Sequence, residues 1–594
     1  MASTAGPSQE QASLDRNAGS PYDSAAPSAD IIIRSSDLIN FYVLKAFLSY
    51  VSPFFKNMFD VVSTTTSELM NGFPVIAVAE TSETIRLLLD FIYPHIGEPR
   101  IDNVALFLKV CKATRKYCMD IIENRLRQQI VTSQLTVSEP LRVCAVAIDL
   151  NWEDVALIAA RNASTISLDK LPHAEELRNI SGSGFYRFLD YKFRREKLVI
   201  LGPFQDYLKP FPIATVVSTP NLRVPSRASR SAQKPFDITA KSDVILRSND
   251  LVDFYVLEDL VLAASHSSSS SITPFLLGIA NGETADGRTI INVAEDSEVL
   301  HHLLSLIYHI SDELVIQSCR LYIQVVLAVR RYGMTTIETR LRKQAAASPL
   351  ISLVPLQMYI VASALGWAEL AKSAAINTLS SPLQYMGYVD ELNLITGADL
   401  YRLVSFRFRC ADATCKVIND NAKYKVSGPG KWALDTRNAK FRHHGPTNEL
   451  FEKLKSCPRG STIKNAYDLE DRSLHLNSPQ TCVLDGPEFI KIWECRREIG
   501  DAVEAAVAKV PFLVCISQRC LTSLTRFRWT WPADHLIYGS TQGAQGDNVY
   551  ITYCGHQTRF NLPPSFVVCI IVFKPSQSSL NYRHKIANDG LTVF

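Results

Sequence analysis

A chain of 594 residues is too long for one hydrophobic core and predicts about four domain-sized units. Apolar residues make up 47% and charged residues 20%, which excludes a wholly disordered chain. The 62 lysines and arginines against 59 acids leave +3, no electrostatic footprint for nucleic acid over the whole protein. The longest apolar run, residues 566–573, is far shorter than the roughly 18 residues of a membrane span. Residues 1–10 show no signal-peptide pattern. Thirteen cysteines without a dense framework then predict reduced thiols in the cytosol or nucleus. The triplets beginning at Asn162 and Asn179 read as chance matches to a glycosylation acceptor.

In chain order, residues 1–27 are rich in Ser, Ala, Pro and Gly and predict a disordered N-terminus. Residues 31–34, a polar turn at 35–37 and residues 41–43 read as two short strands in a hairpin. Ser52 and Pro53 suit an N-cap and first helical position ahead of Phe55, Met58 and Phe59. Residues 74–78 predict another strand. Ile85, Leu88, Leu89 and Ile92 then mark one helix face, and Phe107, Val110, Cys111, Thr114 and Tyr117 mark another. A small sheet covered by helices buries these faces economically, an α+β arrangement.

The pattern returns. Asp243 to Glu258 repeats Asp30 to Lys45 with ten of sixteen residues identical. Farther on, Tyr93, Tyr117, Trp152 and Tyr186 recur 215 residues later as Tyr308, Tyr332, Trp367 and Tyr401. An offset held this long marks a tandem duplication of a unit of about 170 residues.

The run Asp30-x-Ile-x-Arg-Ser-x-Asp37, Phe41-Tyr-Val-Leu-Lys45, Ser52-Pro-Phe-Phe-Lys56 and Pro74-Val-Ile76 resembles a BTB/POZ domain of the fungal kind. The resemblance covers residues 28–128 closely and 241–343 more loosely. Residues 129–198 and 344–412 resemble the helical extensions such domains carry. It implies a non-enzymatic protein-interaction module, often self-associating and sometimes an adaptor for a cullin-type ubiquitin ligase. It also implies a pocket near the dimer interface, where Asp30 and a basic residue lie together; here that residue is Lys45. In copy two the pair is Asp243 and Glu258, two acids that repel if brought together. Copy two also has His266 and a run of five serines, 267–271, where copy one has Ser52 and Pro53; these are expected to loosen the helix start. Copy two therefore reads as a degenerate copy that packs against copy one. For Phe54, Phe55, Met58 and Phe59 two readings stand, domain core and dimerisation surface.

Residues 199–240 read as a Pro- and Arg-containing linker whose cations Arg223, Arg227, Arg230 and Lys234 are solvated rather than a nucleic-acid patch. Residues 413–512 predict a mainly helical segment similar to the C-terminal piece of fungal BTB proteins. Residues 513–594 contain no glutamate and have no clear period. They are either a small β-rich element or the product of a misread exon boundary.

No catalytic signature appears: residues 428–431 lack the spacing of a phosphate loop, and residues 181–184 lack the context of a dinucleotide site. Cys410 and Cys415, or Cys515 and Cys520, with Cys482 or Cys554 and His556, lack the tight spacing of zinc ligands. His301 and His302 point about 100° apart on a helix, which disfavours metal pairing. No cofactor or metal is expected. The sequence therefore predicts an interaction scaffold that homodimerises through copy one. The alternatives are a cullin adaptor using residues 61–72, where Glu68 and Thr66 fit a cullin-binding helix poorly, and a transcriptional regulator without a DNA-binding motif of its own.

Overall fold

The computed structural model describes residues 16–26, 28–62, 69–93, 97–196, 229–264, 284–309, 316–419, 452–464, 486–512, 548–553 and 556–561. The chain forms two compact units, Met1–Leu521 and Thr522–Phe594.

In the first unit, strands β1 (Arg16–Asn17), β2 (Ile31–Arg34) and β3 (Ile39–Val43) lead into helices α1 (Lys45–Val51) and α2 (Pro53–Val62). Strands β4 (Leu69–Met70) and β5 (Phe73–Ala77) complete a five-stranded sheet of order β1-β3-β2-β5-β4. Alternation along the strands divides the side chains between two faces. Ile31, Ile33, Phe41 and Val43 enter the main core, whereas Ile32, Tyr42 and Val75 form a small cluster on the other face. Four helices follow, α3 (Ser82–Ile92), α4 (Val104–Lys116), α5 (Asp120–Thr132) and the short α6 (Leu135–Ser138). The pair α7 (Pro140–Asp149) and α8 (Glu153–Ser164) and then α9 (Gly182–Glu196) close the repeat. Every residue of the two predicted helical stripes is buried.

The second repeat has the same plan. Strands β6 (Arg230–Ser231), β7 (Val244–Arg247) and β8 (Val252–Val256), helix α10 (Glu258–Ala264), and strands β9 (Thr284–Ala285) and β10 (Arg288–Asn292) give a sheet of order β6-β8-β7-β10-β9. Helices α11 (Ser297–Ile307), α12 (Cys319–Arg331), α13 (Thr335–Ala347), α14 (Leu350–Leu353), α15 (Pro355–Leu365), α16 (Ala368–Thr378) and α17 (Gly397–Asn419) match the first repeat's series. Helix α12 ends at Gly333 and α15 at Gly366, both at positive φ, where glycine carries no Cβ penalty.

Several sequence-based boundaries are corrected. Residues 16–26 are ordered rather than part of a disordered terminus: β1 pairs in parallel with β3, and Tyr22 is fully buried, its hydroxyl donating to Asp90 at 2.9 Å. The end of the expected linker is likewise structural, since β6 pairs with β8 and Phe236 is buried in Tyr22's place. Of the four linker cations, Arg223 and Arg227 lie outside the described residues. The divisions at 128/129, 343/344 and 412/413 fall inside α5, α13 and α17, because each of these helices packs on both sides of the supposed boundary.

The two repeats meet through their extensions in a reciprocal joint. The Gly182 N–H donates to the Ile395 carbonyl at 2.7 Å, and the Gly397 N–H donates to the Ile180 carbonyl at 2.8 Å. Tyr186 donates its hydroxyl to the Met386 carbonyl at 3.0 Å, and Tyr401 donates to the Leu171 carbonyl at 2.7 Å. Each contact maps onto the other by the 215-residue offset, so the joint is isologous, as in a two-fold dimer. It needs glycine at both centres. A Cβ on Gly182 would lie 2.7 Å from the Leu392 carbonyl oxygen, and one on Gly397 would lie 2.9 Å from Ile180.

Past α17, residues 452–456 are helical, followed by α18 (Gly460–Lys464) and α19 (Gly486–Lys509). This appendix docks on the second repeat. Arg459 donates to the Ile376 carbonyl at 3.0 Å, and Phe512 meets Phe406 edge-on at 5.0 Å. In the second unit, β11 (Asn548–Tyr553) and β12 (His556–Asn561) pair as an antiparallel hairpin.

Candidate functional site

The candidate interaction face is built by the turn from β3 into α1 and α2. Asp30 stands just before β2, and its carboxylate accepts the backbone N–H of Lys45 at 2.7 Å, the first residue of α1. The aspartate thus fixes a helix N-terminus, where a carboxylate is favoured by the unpaired N–H groups. The neighbouring Leu44 N–H donates to the Tyr93 hydroxyl at 2.9 Å, and burial raises the phenol's pKa. No ion pair joins the Asp30 and Lys45 side chains among the described residues.

The second repeat corrects the expected repulsion between Asp243 and Glu258. Asp243 accepts the Glu258 N–H at 2.8 Å, and the Leu257 N–H donates to Tyr308 at 2.7 Å. In both repeats the aspartate's partner is the backbone, and the bond does not involve the side chain at 45 or 258.

Helix α2 is held at its start by Ser52. The serine hydroxyl accepts the Phe55 N–H at 3.1 Å and donates to the Tyr117 carbonyl at 2.5 Å. Its four large apolar residues separate. Phe55 is 3% exposed and packs on Tyr117 with ring centroids 4.8 Å apart, so it belongs to the core. Met58 and Phe59 are partly buried against the same core. Phe54 points outward at 37% exposure and still meets Tyr117 at 5.5 Å. Beneath it, Tyr117 donates its hydroxyl to Glu80, which also pairs with Lys116 at 2.9 Å. Burial, then the bond to Glu80, raises that phenol's pKa and keeps it a donor.

Sequence reasoning missed Tyr50, on the last turn of α1, which is 84% exposed. With Phe54 it places two aromatic side chains in water, and aromatic residues are enriched at interaction sites. The repeat alignment held the signal: Tyr50 aligns with Ala263 at the end of α10, which is also exposed but apolar only by a methyl group.

The remaining candidates do not converge. Cys410 is buried, its thiol pushed up to about 12 by burial, and Cys415 is half-buried. Cys482, Cys515, Cys520 and Cys554 lie outside the described residues, as do the serines at 267–271 and residues 63–68 of the expected cullin loop. His301 packs edge-on against Phe236 at 5.7 Å, and burial, then His302, lowers its pKa. Among the described residues, no three His, Cys, Asp or Glu side chains gather as metal ligands would.

Residues 24–134 match the family model of the BTB/POZ domain. No curated protein matches the chain. The matched residues span the five-stranded sheet from its second strand onward, helices α1 to α5 and the Tyr50–Phe54 face. The segment 24–134 is therefore a BTB/POZ domain, a protein–protein interaction module.

Proposed function

We propose that this chain is a non-enzymatic scaffold that homodimerises through its first repeat and presents bound partners inside the cell, in the cytosol or nucleus. The observation that carries the reading is the exposed pair Tyr50 and Phe54 on a BTB/POZ domain. The second repeat is a diverged BTB/POZ copy of the fungal type. Its support is the identical strand order of the two sheets and the matching bonds of Asp30 and Asp243. Its outward face has lost the aromatic at Ala263, and its extension is joined to that of the first repeat.

Sedimentation equilibrium of the full chain tests this directly. A two-chain species that shifts to one chain with Tyr50→Glu and Phe54→Glu supports the reading; one chain at every concentration contradicts it. A cullin adaptor role is the second reading, and deletion of residues 61–72 that leaves a co-purifying cullin in place would rule that role out for this loop.

A further inference from the structure

The extension of the second repeat contains a cavity of about 240 Å³ that includes Val354, Leu356, Leu383, Met386, Leu403 and Arg407 in its wall. Tyr385, also in the wall, is 68% exposed and marks the side open to solvent. The corresponding place in the first repeat carries a larger side chain and ion pairs. There, Phe188 stands where Leu403 does and is 1% exposed, stacked on Phe185 at 5.9 Å. Glu139 replaces Val354 and Arg142 replaces Gln357, and Arg142 pairs with Glu139 and, at 2.6 Å, with Glu176. At these positions the second repeat therefore has a smaller residue at 403 and uncharged residues at 354 and 357.

The cavity keeps one buried cation. Arg407 is 5% exposed and donates only to carbonyl oxygens: Thr378 at 2.9 Å, with Ser381 and Ser456. These bonds use one Nη1 and two Nη2 contacts, and a guanidinium has five N–H donors. The nearby carboxylate, Glu391, accepts from Gln357 at 3.1 Å and makes no ion pair with Arg407 among the described residues. Carbonyl dipoles satisfy hydrogen bonds but leave the net charge uncompensated in an apolar surrounding. A monoanion completes such a site; a dianionic phosphate would carry more hydration than an apolar wall can replace.

We propose that this cavity binds a small apolar monocarboxylate, its hydrocarbon part against Leu356, Leu383 and Leu403 and its carboxylate toward Arg407. The volume lies below the range of drug-sized sites, which limits the ligand to a short acyl or single-ring acid.

The test is calorimetric titration of the full chain with octanoate, and with 1-octanol as the uncharged match. The expected result is saturable one-to-one binding of octanoate, at least about tenfold tighter than octanol because a charge-assisted bond is lost in the alcohol. Leu403→Phe, which installs the first repeat's residue, is expected to weaken octanoate binding by at least about tenfold while its unfolding midpoint stays at or above that of the natural chain. Equal affinity for acid and alcohol, undiminished binding in Leu403→Phe, or no saturable binding would each overturn the proposal.

Discussion

The two repeats share a sheet order, a helix series and the same polar pairs, yet other positions differ. Glu80 with Tyr117 in the first repeat returns as Glu295 with Tyr332 in the second, and Arg115 with Glu123 returns as Arg330 with Glu338. These pairs lock helices to one another in both halves in the same way. Other positions differ between the two, outside and inside the core. Tyr50 aligns with Ala263, Glu139 with Val354 and Phe188 with Leu403.

The appendix shows the same division most sharply. In the first repeat, Arg195 donates to the Arg161 carbonyl at 3.0 Å. The aligned residue in the second repeat is Cys410, which cannot reach so far. Arg459 of the appendix supplies the missing donor, bonding the aligned carbonyl of Ile376 at 3.0 Å. The second repeat thus seats another part of its own chain, where the first bonds the same carbonyl with its own arginine.

The largest expected effect concerns the two segments that composition marks as a disordered terminus and a linker. If Tyr22 and Phe236 are matching core residues, alanine at either position costs about 3–5 kcal/mol in urea unfolding. A cost near zero at Tyr22 with a full cost at Phe236 would break the equivalence.

Next comes the joint. Leucine at Gly182 or at Gly397 forces a side chain against backbone and Ile side chains across the two-fold arrangement, and each is expected to destabilise the chain by about 1–3 kcal/mol. Similar losses at the two sites, measured by thermal unfolding, support a reciprocal interface; a loss at one site alone shows an asymmetric one.

The smallest effect separates the two accounts of the aspartates. Asp30→Ala and Asp243→Ala each remove a carboxylate from a helix N-terminus and are expected to cost about 1 kcal/mol. Lys45→Ala is expected to leave stability unchanged in the same denaturant titration. A cost for Lys45→Ala equal to that for Asp30→Ala would restore the side-chain ion pair.

Much of the sheet and helix layout was legible in the sequence because it rests on periodicity. The apolar run Ile31 to Ile33 reads as a strand and the stripe from Ile85 to Ile92 as one helix face, and these residues are buried. The start of each repeat was not legible. Strands β1 and β6 are two residues long, and around them Ala18, Pro21 and Asp23 repeat as Ala232, Pro235 and Asp237 among small and polar residues that resemble a linker. The joint was invisible for another reason: all four of its named bonds end on backbone carbonyls, two of them from glycine N–H groups, and glycine gives no pattern of its own. At the candidate site, residue type placed four apolar groups on one short helix but could not separate the buried Phe55 from the exposed Phe54. Likewise the family resemblance implied that Asp30 and Lys45 lie close together without showing that the backbone N–H, not the ammonium group, is the partner.

The division of labour between the repeats is most directly tested by matched charges on their outward faces. Sedimentation equilibrium of the full chain would compare Tyr50→Glu with Phe54→Glu, in the first repeat, against Ala263→Glu in the second. The account predicts that the first pair turns a two-chain species into single chains, while Ala263→Glu leaves it intact. Dissociation by Ala263→Glu, or an undisturbed dimer with both first-repeat charges in place, would contradict it.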